Sequence, residues 1–437
     1  MLLKIKQWES KYLRDFDAVK NEEISEEQLY QKLATMYYDY VSSNNIEPFT
    51  IKYGRGDGFC IEANSHVGVI THDDMVLYIE SMIPDLSLGK ILYLQSQAEE
   101  VADSSSTKNA ISEQLNEEEN IAAVDYFIIS LVNSVEDIKQ NGLISELKST
   151  EEISPQVIGK IKFGTQVQKN PAYDVFHVER TAMSHDILIN KVIKTALLKA
   201  KEITSLDWIL LMINDACDFL GEVNYLDYLE YNDFPKVEDY TSIKRSDYEK
   251  SLLFSKYVLY GFDPNEGESS AYFPEFMLDM NVVFEYYVTV GLSKIFKSGF
   301  ERKKQLTLGT GPEDIPIEKK NIELDGYYDN GSVSIVLDTK NKYRTVLDRD
   351  VSAFMASNPD IYQQYYYAAR TESDKIILVY PSSKSRTEPI GKYELNFEGH
   401  PEIDMFLWGL QITSTPKENK RALIRLARYM ENLKRNL

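Results

Sequence analysis

The chain has 437 residues, 43% of them hydrophobic, enough for two or three domains with packed cores. No apolar run approaches the roughly 18 residues that cross a bilayer. Charges in MLLKIKQWESKYLRDFD (1–17) fall too early for a signal-peptide core, so a cytoplasmic protein without membrane association is expected. Cys60 and Cys217 are far apart and lack any CxxC context, which predicts free buried thiols and argues against a structural zinc site.

The formal net charge of −21 looks wrong for binding DNA, but it is unevenly distributed. Of 48 basic and 69 acidic residues, 23 of each lie in 271–437, which leaves 25 and 46 in 1–270. The acidic front suits a protein partner, or is simply a solvated surface. From Lys417 onward, seven Lys and Arg face only Glu418 and Glu431.

Residues 1–45 read as helical. FTIKYGRGDGFCIEANSHVGVI (49–70) and MVLYIESMIP (75–84) alternate apolar and polar residues and are broken by Gly, as strands are. DLSLGKILYLQSQA (85–98) returns to helical spacing. The acidic, Ser/Asn-rich stretch 99–120 reads as a loop or insertion. IAAVDYFIISLVNSVEDIKQ (121–140) reads as a helix, GKIKF (159–163) as a strand, and 186–203 and 206–223 as two strong helices. PEFMLDMNVVFEYYVTVGLSKIFKS (274–298) predicts a long amphipathic helix, DIYQQYYYAART (360–371) another. KIILVYP (375–381) predicts a buried strand, YELNFEG (393–399) more strand, and 417–437 a basic helix. The expected fold is α/β. An α+β front with a strand-rich segment, 49–84, precedes a mixed central sheet flanked by helices. The corresponding division is an N-terminal domain 1–165, a helical connecting region 166–270 and a C-terminal domain 271–437.

The segment NIELDGYYDNGSVSIVLDTKNKYR (321–344) concentrates the chemistry. Asn330-Gly331 is a type I′ hairpin signal. With those two residues as the turn, opposed positions sum to 661, and Asp325 and Asp338 become diagonal neighbours, roughly 5–8 Å apart. Asp325, Val336, Asp338 and Lys340 then share one face, while Val333, Ile335 and Leu337 point to the core. Two carboxylates so placed can hold a hard divalent ion, and Lys340 can orient or activate a water or stabilise charge on a phosphate. Two surface aspartates and an ordinary D-x-K triplet are the bland alternative. Gln363 and Tyr367, at i and i+4, share a helical face and can contact a phosphate or brace the lysine. Glu285, within an apolar stripe, is either a snorkelling surface group or a further ligand. Arg421, Arg425 and Arg428 are either phosphate contacts or a solvated face.

These pieces together resemble McrC, the nuclease subunit of McrBC-type modification-dependent restriction systems, within the PD-(D/E)xK superfamily. DMNVVFE (279–285) is similar to the family's Asp-Met-Asn…Phe-Glu helix, and Asp325 matches the first acid. DTKNK (338–342) is similar to its Asp-Thr-Lys-x-Lys strand, and NPDIYQQYYYA (358–368) to its Asp-x-Tyr-Gln helix. SHVGVI (65–70), LYIESMIP (77–84), GKI (159–161) and ALLKA (196–200) resemble weaker N-terminal landmarks. Leu324 stands where the family has Pro, and the Lys of its Ile-x-Pro-Lys landmark is missing from IESMIP.

The resemblance implies a PD-(D/E)xK endonuclease domain over 271–437 that hydrolyses double-stranded DNA in anti-phage defence. Asp325, Asp338 and the Thr339 carbonyl would bind Mg²⁺, with Mn²⁺ as a substitute. Lys340 and Glu285 would assist catalysis, Gln363 and Tyr367 would support it, and Lys342 would join the arginines on DNA. It further implies docking through the N-terminal domain onto a GTP-hydrolysing AAA+ ring resembling McrB. That ring would bind the GTP, consistent with the lack of a G-x-x-x-x-G-K-[ST] motif here. GRGDG (54–58) and GTG (309–311) read as turns. A non-catalytic activator of the ring, or a standalone repair-type nuclease, are the rival readings.

Overall fold

The computed structural model describes residues 1–54, 58–73, 75–99, 123–170, 172, 174–229, 234–260, 276–296, 298–309, 320–342, 356–396 and 402–434. The chain forms two compact units, one of Met1–Ala123 with Phe273–Leu437, the other of Val124–Tyr272. The expected N-terminal domain 1–165 is thus divided between them. Most of the acidic stretch 99–120, residues 55–57 of GRGDG and residues 310–311 of GTG lie outside the described residues.

The first unit opens with strands, where a helix was expected. β1 (Leu2–Lys6) and β2 (Ser10–Tyr12) precede the helix α1 (Glu26–Asn44). Leu3 and Ile5 are buried while Leu2, Lys4 and Lys6 are not, a period-2 pattern. β1 pairs in parallel with β6 (Met75–Glu80), a contact too distant along the chain for local spacing to reveal. Between them, α1 starts in a capping box of Ser25 and Gln28. β3 (Phe49–Gly54) and β4 (Gly58–Ala63) then form a three-stranded sheet with β2, and β5 (His66–His72) pairs with β6. α2 (Leu88–Glu99) follows.

The second unit holds α3 (Ala123–Asn141), β7 (Glu146–Ser154), β8 (Lys160–Ile161), β9 (Phe176–Ser184), α4 (Leu188–Ile203), α5 (Asp207–Phe219) and α6 (Ser246–Tyr260). Its helices pack through α4, where the Tyr248 hydroxyl donates to Asn190 at 2.7 Å and accepts from the Ile144 amide at 2.9 Å. β7 and β9 make a long antiparallel ribbon with Leu147, Ile153 and Met183 exposed. GKIKF contributes only the two-residue β8; β7, β9 and α6 were not anticipated. β7 is exposed along nearly its whole length, so it carries no apolar alternation to read.

The chain re-enters the first unit at β10 (Phe276–Asp279), which pairs with β5. The expected helix 274–298 therefore begins later, as α7 (Met280–Phe296). Gly68 (φ +146°) permits the β5–β10 approach, because a Cβ there would lie 2.1 Å from the Phe276 carbonyl oxygen. β11 (Phe300–Gly309), β12 (Lys320–Asp329), β13 (Ser334–Thr339), α8 (Asn358–Thr371), β14 (Lys375–Ser382), β15 (Gly391–Leu395), β16 (Ile403–Gln411) and α9 (Pro416–Asn432) follow. Their strands form a mixed sheet in the order β11-β12-β13-β14-β16-β15, parallel only at β13–β14 and β14–β16.

Helices cover this sheet: α8 packs against β13 and β14, and α7, which also packs on α2, joins α9 against β11–β13 and β16. Val336 and Leu337 point to opposite faces, yet both are fully buried, so the sheet is covered on both sides. β14 is buried at every position. Cys60 and Cys217 are buried and unpaired. Among the described residues, no helix is long and apolar enough to cross a membrane.

Candidate active site

The β12–β13 connection sets the site. It is a four-residue loop closed by the pair Asp329–Ser334, not the two-residue type I′ turn expected. Only Gly331 of the Asn-Gly pair has positive φ (81°). The Asp329 carboxylate accepts from the Gly331 amide, and the Asn330 carboxamide oxygen accepts from the amides of Ser332 and Val333. Opposed positions consequently sum to 663 (Tyr327–Val336, Gly326–Leu337). A shift of two preserves every face. It changes one relation: continued by one step past Gly326–Leu337, the register sets Asp325 across from Asp338, where a diagonal was expected.

At that step a side chain takes over from the ladder. Asp325 Oδ2 accepts from the Thr339 amide at 2.8 Å and from the Thr339 hydroxyl at 2.7 Å. Thr339 thus fixes the first carboxylate, a role the sequence did not suggest. Asp338, 6% exposed, is the last acid of β13. Its Oδ2 lies 2.7 Å from Lys340 Nζ, yet is outside the geometry of a hydrogen bond. Burial, with Asp325 alongside, pushes the Asp338 carboxyl up to about 7 despite the nearby lysine. Burial alone would lower the Lys340 ammonium, but Asp338, Asp360 and Asp325 together raise it.

Glu285, from α7, joins this cluster. Burial and then Asp325 raise its carboxyl, while Lys303 opposes them from 3.5 Å. Lys303 was not singled out in the sequence. It sits on β11 with φ +51°, 3.3 Å from Glu323, its ammonium over the Tyr286 ring. Asp360, capped by Ser357 in the first turn of α8, holds Lys342 at 2.8 Å. Lys342, expected to meet DNA, is therefore ion-paired.

The other expected residues lie outside this cluster's described bonds. The exposed Gln363 donates through Nε2 to the hydroxyl of Tyr367 at 2.9 Å, Tyr367 being half-buried against the core. The inward side instead carries Asp360, Gln364 and Ala368. Gln364 is fully buried, and neither of its amide atoms has a hydrogen-bond partner among the described residues. Arg421 is exposed and paired with Glu418, and Arg428 is exposed. Arg425 is half-buried, with Nε and Nη2 shielded from solvent.

Among the described residues, no group of three or more His, Cys, Asp and Glu is gathered tightly enough to hold a metal ion. The donor chemistry nevertheless fits a divalent cation. Asp338 is buried with Asp325 alongside, its Oδ2 is ion-paired to Lys340 and has no well-formed hydrogen bond among the described residues, and the local charge is net negative.

Residues 61–381 match the family described as McrBC 5-methylcytosine restriction system component. The chain belongs to this McrBC family. The match takes in the whole cluster from Glu285 to Asp360. Among solved structures, the chain is similar to one in the refined half-complex from a tetradecameric assembly of Thermococcus gammatolerans McrB AAA+ hexamers with bound McrC. That alignment has 14% identity and a TM-score of 0.51, and covers 98% of this chain and 100% of that one. At such identity the likeness shows the fold alone. The cryo-EM structure of the Thermococcus gammatolerans McrBC complex aligns over 68% of this chain and 88% of that one, at 14% identity and a TM-score of 0.34, and carries no argument. No curated protein matches the chain.

Proposed function

We propose that this McrBC-family chain is the endonuclease subunit of a restriction complex, with a PD-(D/E)xK core that hydrolyses phosphodiester bonds in double-stranded DNA. The observation that carries the reading is the gathering of Asp325, buried Asp338 and Lys340 at the end of β13, with Lys340 2.7 Å from Asp338. Asp325 and Asp338 would hold Mg²⁺, or Mn²⁺ in its place, with the Thr339 carbonyl as a further ligand. Such an ion supplies positive charge against the scissile phosphate and favours deprotonation of water. Thr339 keeps Asp325 in place for that task. Lys340, its ammonium favoured by three neighbouring acids, offers charge and a proton to the phosphate oxygens. Glu285 completes the acidic wall and, with its carboxyl raised by burial and Asp325, holds a proton more readily than a free glutamate.

The partner is a GTP-hydrolysing AAA+ ring resembling McrB, and the GTP belongs to that ring. Support comes from the family and from the similar chain's occurrence in an assembly of McrB hexamers with bound McrC. On this chain, the β7–β9 ribbon offers exposed apolar side chains of the kind protein interfaces cover.

The test is plasmid cleavage in Mg²⁺ by wild type and Lys340→Ala, each with and without the AAA+ partner and GTP. Cleavage by wild type only with partner and GTP, and none by Lys340→Ala although GTP hydrolysis is still stimulated, is the expected result. Identical behaviour of the two variants rejects the site. Stimulated GTP hydrolysis without cleavage by either makes the chain an activator. Cleavage without the partner makes it a standalone nuclease.

A further inference from the structure

A cavity of about 620 Å³ opens beside Lys340, within the range of small-ligand pockets. Thr339, Lys340, Asn341 and Lys342 contribute from the end of β13, Asp360 from α8, and Trp8, Met82 and Asn281 from the N-terminal part and the start of α7. We propose that this cavity is a nucleobase pocket. It receives one unstacked base of the strand being cut, Trp8 stacking on the ring and the Asn341 carboxamide bonding its edge. The proposal rests on the nuclease reading and names what its site grips.

Asn341 decides the ligand class. It is 6% exposed, and neither its Oδ1 nor its Nδ2 has a hydrogen-bond partner among the described residues. Buried polar atoms are almost always partnered, and both of these are closed to solvent, so the carboxamide gains partners when the side chain turns into the cavity onto an arriving group. It offers a donor and an acceptor side by side. A phosphate would leave the oxygen unpaired, and a cation would leave the N–H groups unpaired. A base edge with adjacent donor and acceptor, as in adenine or cytosine, satisfies both.

Trp8 supplies the second, independent observation. Its backbone is left-handed (φ 63°), a conformation bulky residues rarely adopt, and strain of this kind gathers at functional sites. The preceding residue holds it there: the Gln7 amide donates to the Glu80 carbonyl, and Gln7 Nε2 to that of Ser65. The result is an indole left 50% exposed at the edge of a cavity lined by Lys340, Lys342 and Asp360. Aromatic faces so placed stack on bases, and the Met82 thioether extends the apolar surface. A base can enter only if it leaves its helix, so duplex DNA must open locally at the cut.

The experiment uses the full chain without metal and fluorescence anisotropy of a fluorescein-labelled strand of five abasic deoxyribose phosphates, with or without one central adenine or cytosine. The base-bearing strands should bind at least tenfold tighter than the abasic strand. Trp8→Ala and Asn341→Leu should erase that difference, and Trp8→Phe should keep most of it. Equal binding of all three strands overturns the proposal, as does an unchanged preference in Trp8→Ala. Trp8→Ala that loses only the stimulation of GTP hydrolysis assigns the residue to the protein partner and also overturns it. Base-dependent binding by a wild type that never cleaves rejects the nuclease reading alone. Cleavage together with base-independent binding rejects the pocket alone.

Discussion

Two buried Asp–Lys pairs lie at different levels of the same sheet, and their surroundings give them opposite characters. At the start of β14, Lys375 lies 2.8 Å from Asp404, whose other oxygen is 2.7 Å from Lys392. At the end of β13, Lys340 lies 2.7 Å from Asp338, while Asp325 and Asp360 add negative charge. Both aspartates are 6% exposed. Burial raises each, but Asp404 accepts from two lysines, which Asp374 and Glu394 share, and its carboxyl ends below the ordinary range. Asp338 has one lysine and ends near 7. Distance and burial therefore do not separate a structural pair from a functional one. The immediate partners do, because Asp404 takes hydrogen bonds from two lysines whereas Asp338 has one lysine and faces a second carboxylate, Asp325.

The sharpest way to break this comparison is to remove the two lysines in turn. Lys340→Ala should lower cleavage by the partner-bound complex by roughly 10²–10³-fold, as loss of one preorganised transition-state group typically does. Thermal stability should change little. Lys375→Ala should do the reverse. It removes one of the two lysines on buried Asp404, leaving Lys392, and should cost about 1–3 kcal/mol of stability, read by denaturant unfolding, with cleavage per folded molecule nearly intact. If Lys375→Ala abolishes cleavage in folded protein while Lys340→Ala does not, the roles assigned to the two pairs are reversed.

Next in size is the response to pH without metal. Folded Asp338 keeps its proton up to about pH 7, whereas an unfolded aspartate releases it near about 3.9. Between those values the folded state binds more protons, so this group makes stability fall as pH rises through the window. Asp404 acts in the opposite sense. Its contribution is present above the unfolded value and is lost as pH falls below it. Asp338→Asn should therefore flatten the metal-free stability profile between about pH 4 and 7 and raise stability at pH 8. Asp404→Asn should lower it there. Added Mg²⁺ should stabilise wild type more at pH 8 than at pH 5.5, because below 7 it competes with the Asp338 proton. A wild-type melting temperature that rises steadily from pH 4.5 to 8 in chelator, unaltered by Asp338→Asn, contradicts the raised Asp338 carboxyl.

Much of the C-terminal sheet was legible because its signals are local. β14 is one apolar run, and Asp325, Asp338 and Lys340 keep a period of two across the hairpin. That period survives a two-residue change of register, so the shared face was predicted although the turn was not. What escaped reading depends on distant pairing or on exposure. β1 is a strand because β6 lies beside it, and the β7–β9 ribbon carries few buried apolar positions to betray its period. Thr339 gripping Asp325, Lys303 facing Glu285, and Trp8 reaching the cavity of Lys340 are likewise products of tertiary approach. A left-handed Trp leaves no mark in a single sequence.

The smallest expected effect tests which side of α8 matters. Family resemblance points to Gln363 and Tyr367, whereas burial points to Asp360, Gln364 and Ala368. The exposed Gln363 bonds at 2.9 Å to Tyr367, which is half-buried against the core, an i,i+4 pair contributing only about 0.2–0.5 kcal/mol to the helix. If that bond is their whole role, Gln363→Ala should leave stability within about 0.5 kcal/mol and cleavage within a few-fold of wild type. Gln364→Ala removes a fully buried side chain and should cost more stability, about 1–3 kcal/mol. A loss of cleavage of 100-fold or more in Gln363→Ala, with unfolding unchanged, reverses this assignment. The outer side of α8 would then be the side that meets DNA, with Gln363 and Tyr367 holding each other in position for a phosphate.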